Sequence, residues 1–403
     1  MNKINQLLIQ AQTAHDTADW SLVIQCLQQL TVQENLENPE IAKNTEKLLE
    51  FALAVLTMGD FQQRWEIAQV LSKFGAIAIP QLISILEDDE SEEELHWYAM
   101  RILGDMKNSD AIAPLVELIK SNNNEELKGM AAAALGEIGT LAIFALTELL
   151  KDRNTRLLAV QSLSYIRNNE TITPLLSVVE DSQVAVRVVA IEALSSFHDQ
   201  RVPSVLLNAL NDVASSVRRE AVIALGERPG LCAELDLVTK LKSRLYDSDE
   251  DVCCAAAIAM SKMGSDSAAY HLFEALIAPN RPLKLQLEII RALMWVGTLS
   301  GLEYLHSSFY ELESVTLWQE IVAVLGRVNS PTLTDKALQI LLDILHSKHA
   351  AVEIAVIRSA IALSLGQLGN IQALEPLTAM LTDQDPQVRL HASAALKNLT
   401  ASV

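Results

Sequence analysis

Apolar positions along this chain fall into one figure, repeated about every thirty residues: a small or branched apolar residue, usually Ala three positions later, then Leu or Met. The closing residue serves as an anchor and recurs at Leu71, Leu103, Leu135, Leu163, Leu194, Leu225, Met260, Leu293, Leu325, Leu365 and Leu396. Spacings between anchors run from 28 to 35 residues, apart from one of 40 before Leu365. An i, i+3, i+4 pattern places these side chains on one face of a helix, and the small members allow a neighbouring helix to approach closely. This predicts a helix, termed B, ending near each anchor. Gly75, Gly139, Gly264, Gly297 and Gly369 stand four residues past their anchors, where a left-handed residue ends a helix.

A second amphipathic segment, helix A, follows each break, as in AIAPLVELI and ALEPLTAML. Pro80, Pro114, Pro174, Pro203 and Pro376 lie near its start, where a missing N–H is tolerated. Polar turns such as EDSQVAVR and TDQDPQVR then lead into the next helix B, with Asp side chains available to cap it. One hairpin of this length cannot bury its own apolar face, so successive hairpins must stack into a superhelix. The expected organisation is an N-terminal helical cap over residues 1–38 and a repeat array over 39–403. The spacing of 40 implies an insertion or longer helices.

The consensus A-I-x-P-L-x-x-L, a polar turn, then V-R-x-x-A-x-x-A-L-G-x-(I/L)-G resembles the HEAT-like repeats named after the phycobilisome lyases. It covers roughly residues 40 to 400. The resemblance implies an all-α fold, a right-handed α-solenoid of about eleven hairpins. Functions implied by it include bilin lyase subunits, phycobilisome degradation proteins and general scaffolds. In similar repeats an Arg of helix B pairs with the Asp of the preceding turn, here Asp181, Asp212 and Asp383. Deoxyhypusine hydroxylase is built from similar repeats but carries paired His-Glu dipeptides, and this sequence has none.

Composition agrees with close-packed helices: half of the residues are hydrophobic and only 4% are aromatic. A formal charge of −20 argues against a nucleic-acid partner. Cys26, Cys232, Cys253 and Cys254 are too scattered for a disulfide framework, and no uninterrupted apolar run reaches the ~20 residues of a membrane span. The start of the chain lacks the apolar stretch of a secretory signal, so a cytoplasmic protein without membrane insertion is expected.

Seven residues before each anchor lies a polar ladder: Arg64, His96, Lys128, Arg156, Arg187, Arg218, Cys253, Gln286, Trp318, Arg358 and Arg389. Its cations are expected to form ion pairs between repeats. The ladder loses its cations at Cys253, Gln286 and Trp318, and aromatic residues gather around that break, including Trp295, Tyr304, Phe309 and Tyr310. Those residues either line a partner-binding patch or fill gaps between irregular repeats. The acidic run Glu87 to Glu94 reads as a solvated loop or as a contact for a basic partner. His346 and His349 share a face but lack further ligands, and no phosphate loop, nucleophile elbow or supported carboxylate pair is present.

The expected function is therefore a non-catalytic scaffold that binds another protein along the concave helix-B side, without a cofactor. The alternative is a bilin-lyase-like or phycobilisome-associated chaperone, with a bilin or phycobiliprotein as partner.

Overall fold

The computed structural model of the chain describes residues 3–33, 38–88 and 90–401. Among these residues the regular structure is entirely helical. Two compact units are present, Met1–Phe197 and His198–Val403. The expected boundary between cap and array, at residue 38, adjoins residues 34–37, which lie outside the described ones.

In the first unit, helices Lys3–Asp16 and Trp20–Gln28 precede Thr45–Met58, and Trp20–Gln28 packs against both Thr45–Met58 and Phe61–Leu71. Phe61–Leu71 is the first helix B, and Glu93–Asp105, Glu125–Ile138, Arg156–Tyr165 and Val184–Ser195 follow in register. The second unit continues with Ser215–Gly226, Glu250–Ser261, Leu283–Trp295, Val315–Gly326, Ala355–Leu368 and Pro386–Ala401. Within each unit most B helices pack on the next, with A helices between them in sequence, as the stacking argument requires.

Every anchor from Leu71 to Leu365 is fully buried. The residues flanking it explain the A-L-G signature. Gly226, one past its anchor, faces Ala259, one before the next anchor, and a β-carbon at Gly226 would lie 2.8 Å from that of Ala259. Gly326 meets Ser364 and Gly366 meets Ala395 in the same way. Small residues at these two positions thus set the distance between adjacent B helices. The glycines four past the anchors all have positive φ, from 59° at Gly264 to 82° at Gly139. They end the five B helices that they follow, as the spacing predicts.

Length variation is absorbed on the A side. The repeat before Leu365 contains the 15-residue helix Pro331–Leu345 and an added turn, Ala350–Glu353. By comparison, helix A of the following repeat, Leu374–Met380, has 7 residues. Two apolar stretches, Phe61–Glu87 and Glu125–Leu149, have the length and hydropathy of a membrane span. Neither is one continuous helix, because Gly75 and Gly139 interrupt them with positive φ.

Candidate functional site

The ladder position sits at the start of each helix B, within reach of the end of the preceding helix A. Helix ends leave carbonyls without intrahelical donors. The ladder supplies those donors. Arg156 Nε donates to Leu150 O at 2.6 Å, Arg187 Nη1 to Asp181 O at 2.8 Å and Arg64 Nη2 to Thr57 O at 3.1 Å. In the second unit Arg218 Nη1 reaches Asp212 O at 2.9 Å, Arg358 Nη1 reaches Val352 O at 2.9 Å and Arg389 Nη1 reaches Asp383 O at 2.7 Å.

The carboxylate partners differ from the expectation. Arg156 pairs with Asp181 at 2.6 Å, and Arg358 grips Asp383 through Nε and Nη2 at 2.7 and 3.0 Å. In each case the carboxylate belongs to the following turn, whereas the preceding turn offers its backbone carbonyl. The reason is geometric: the guanidinium fork spans both, one edge toward its own hairpin and one toward the next. Arg64 likewise reaches forward, to Glu94 at 2.7 Å and Glu92 at 3.1 Å. Part of the acidic run is therefore engaged within the fold; its Asp89 lies outside the described residues.

The three uncharged ladder residues do the same work. Cys253 Sγ donates to Asp247 O at 3.3 Å, Gln286 Nε2 to Leu276 O at 3.4 Å, and Trp318 Nε1 to Leu312 O and Phe309 O at 2.8 and 2.9 Å. Cys253 and Trp318 are buried, and Phe309 is fully so. Burial pushes the Cys253 thiol up, and raises that of Cys254 to about 11, so both remain neutral near pH 7. Lys128 is the exception: its Nζ goes to Glu125 Oε1, 2.7 Å away.

The aromatic group expected as one patch divides into three. Phe309 and Trp318 pack inside with His349, whose ring lies 5.2 Å from each, and Tyr310 touches the edge of this cluster at 44% exposure. Tyr304, on the A helix Leu299–Glu311, stacks on Phe273 of the A helix Asp266–Ile277 with centroids 4.8 Å apart. Trp295 stands apart, 69% exposed in the last turn of the B helix Leu283–Trp295. It overhangs a groove of about 350 Å³ whose lining includes Ile258, Lys262, Arg291 and Ala292. A neighbouring groove of about 300 Å³ shares Ile258 and Lys262 and adds Ile223, Cys254 and Lys284. Ile223, Ile258 and Trp295 therefore mark an apolar stripe across three successive B helices. The cations beside it are neutralised: Arg291 by Glu320 at 2.7 Å, Lys284 by Asp251 at 2.6 Å, and Lys262 by Glu227.

Exposed Ile223 and Ile258 escaped the sequence reading, although both stand two residues before their anchors. So did Trp65, Trp97 and Arg101 of the first unit, where Arg101 lies over both indoles, 3.9 Å from the Trp65 centroid and 5.4 Å from that of Trp97. Both tryptophans sit six before an anchor, a repeat of register that the sequence displayed. Among the described residues, no three His, Cys, Asp or Glu side chains converge as metal ligands.

Residues 79–157, 143–226, 203–293 and 313–397 match the HEAT repeats family. No curated protein matches the chain. Among solved structures, it is similar to Kap95p in a complex described as inducing the switch loops of RanGDP to adopt the GTP-bound conformation. The identity is 13%, the TM-score 0.53, and the match covers 89% of this chain and 55% of that one. It is similar as well to a mutant of Kap121p, at 10% identity and TM-score 0.53, over 95% of this chain and 49% of that chain. The chain thus matches about half the length of each. Human deoxyhypusine hydroxylase in complex with glycerol matches at 19% identity over 68% of this chain and 99% of its own, with a TM-score of 0.29.

Proposed function

This chain belongs to the HEAT-repeat family, and from that premise we propose that it is a non-catalytic scaffold that docks another protein on the outward faces of its B helices. The observation that carries the reading is Trp295: a large indole, 69% exposed, over an apolar groove continuous with Ile258 and Ile223. Exposed aromatic anchors of this kind dominate binding energy at protein interfaces. The neutralised charges beside it form the polar rim that surrounds such anchors. All four cysteines are free, which supports a reducing, cytoplasmic setting.

The test is partner recovery from source lysate with the native chain, Trp295→Ala and, as a control on an A helix, Phe144→Ala. Loss of a partner with Trp295→Ala alone supports the reading; equal recovery from all three overturns it. A second reading, the handling of a bilin or its apoprotein, draws on the repeat signature and on the exposed indole of Trp295 as a face for the ring system. It requires the visible absorbance of phycocyanobilin to shift on mixing with the chain, and an unchanged spectrum removes it.

A further inference from the structure

The first unit holds a groove of about 340 Å³ between helices Glu93–Asp105 and Glu125–Ile138. Its apolar seat consists of Trp97, 42% exposed, with Met100, Met130, Ala133 and Ala134. Gly104 keeps the two helices close: a β-carbon there would lie 3.0 Å from that of Glu137. Methionine side chains adapt to varied apolar partners, and an indole at the rim offers a rigid anchor.

The charges of the groove are unbalanced. Arg101 is its single lining cation, and it is committed to Trp65, to Trp97 and, at 3.8 Å, to Asp105. Glu137 is exposed and has no ion-pair partner among the described residues. The two helices contribute Glu93, Glu125 and Glu126 besides, and Glu94, which Arg64 holds, against one lysine, Lys128, which Glu125 holds. Across the whole first unit acidic side chains outnumber basic ones two to one.

We propose that this groove docks a cationic amphipathic segment of a partner protein. An aliphatic side chain of that segment sits against Met100, Met130 and Ala133, and a Lys or Arg one turn away meets Glu137 and Asp105. Charge complementarity selects the occupant: an acidic segment would face carboxylates with no free cation to offset them, and so would the propionates of a tetrapyrrole. The amphipathic helix laid in a groove is the recognition mode that such a seat and rim fit. This surface is separate from the Trp295 stripe and does not depend on it.

The test uses the full chain with ¹³C-methyl-labelled methionine, titrated with a synthetic helical peptide of Leu and Lys and with its Leu and Glu counterpart. The Leu/Lys peptide should shift the Met100 and Met130 methyl signals saturably, while the Leu/Glu peptide leaves them in place. Reversing both carboxylates, Asp105→Lys with Glu137→Lys, should weaken binding by about tenfold or more. Reversing the exposed Asp110 and Glu117 on the A side changes net charge equally and should have little effect. Trp295→Ala should leave the titration unchanged, so this inference and the reading of the second unit fail separately. Equal weakening by both charge reversals would mean diffuse attraction to an acidic chain and overturn the proposal. Shifts confined to other methionines, or no binding of the Leu/Lys peptide, would overturn it too.

Discussion

Arg218 and Trp318 occupy the same register three repeats apart, yet one is a cation and the other the bulkiest neutral side chain available. Arg218 donates to Asp212 O at 2.9 Å and to Asp247 Oδ2 of the next turn at 2.8 Å. Trp318 donates its one N–H to two carbonyls and fills the remaining space with its indole, against Phe309 and His349. What the position demands is a donor for the carbonyls that end helix A; charge is an addition used where the next turn presents a carboxylate. Every ladder residue from Arg64 to Arg389 carries an N–H or S–H. The change from cation to neutral donor therefore marks a different way of joining repeats.

Four substitutions separate those two ways. Trp318→Ala removes a packed indole and leaves two carbonyls without their donor, and should destabilise the second unit by about 4 kcal/mol, read as a lower urea midpoint. A variant with an unchanged midpoint would contradict the burial of Trp318. Arg218→Ala takes the fork from Asp247 and leaves it Arg244, 3.3 Å away, and should cost about 2 kcal/mol by the same measurement. The arginine joints should add acid sensitivity through their carboxylates. Hydrogen bonds from Arg358 hold the Asp383 carboxyl below its ordinary value. Burial pushes the Asp247 carboxyl up, but the hydrogen bonds it accepts, from Arg218 above all, outweigh that push and leave it lowered as well. Because these folded values lie below the unfolded one of about 3.9, their stabilisation is complete at neutral pH. It is lost as pH falls below that value and through the folded ones. Asp383→Asn should accordingly flatten the acid limb of the stability curve, and an unaltered limb would refute the assignment. The smallest effect is expected of Cys253→Ser, whose hydroxyl can serve Asp247 O in place of the thiol, with a midpoint change of no more than about 1 kcal/mol.

Much of the scaffold was legible because it depends on backbone and small-residue rules that act locally. The five glycines after the anchors, the prolines opening helix A and the buried leucines follow from helix geometry alone. The candidate surface was less legible, since a helix turns about 100° per residue and adjacent positions meet different surroundings. Phe309 is fully buried and Tyr310 is 44% exposed, though the sequence presents them as one aromatic pair. Clustering in sequence also joined A-helix residues, Tyr304 and Tyr310, with the B-helix residue Trp295, whose groove neither tyrosine lines. The direction of the arginine forks, forward to the next carboxylate, needs the spacing between repeats, which no single repeat encodes.

The contact of Gly226 with Ala259, repeated at Gly326 and Gly366, bears on how such a chain can change in length. Where two helices meet with no room for another carbon, insertions cannot be housed between them. Extra residues have lodged instead in 229–246 and 331–353, between one helix B and the next, while the B helices keep their register. Growth by duplication of whole hairpins preserves that fit, since each copy brings both halves of the joint. The ancestry of this chain should therefore be easier to trace along its B helices than along the segments that connect them.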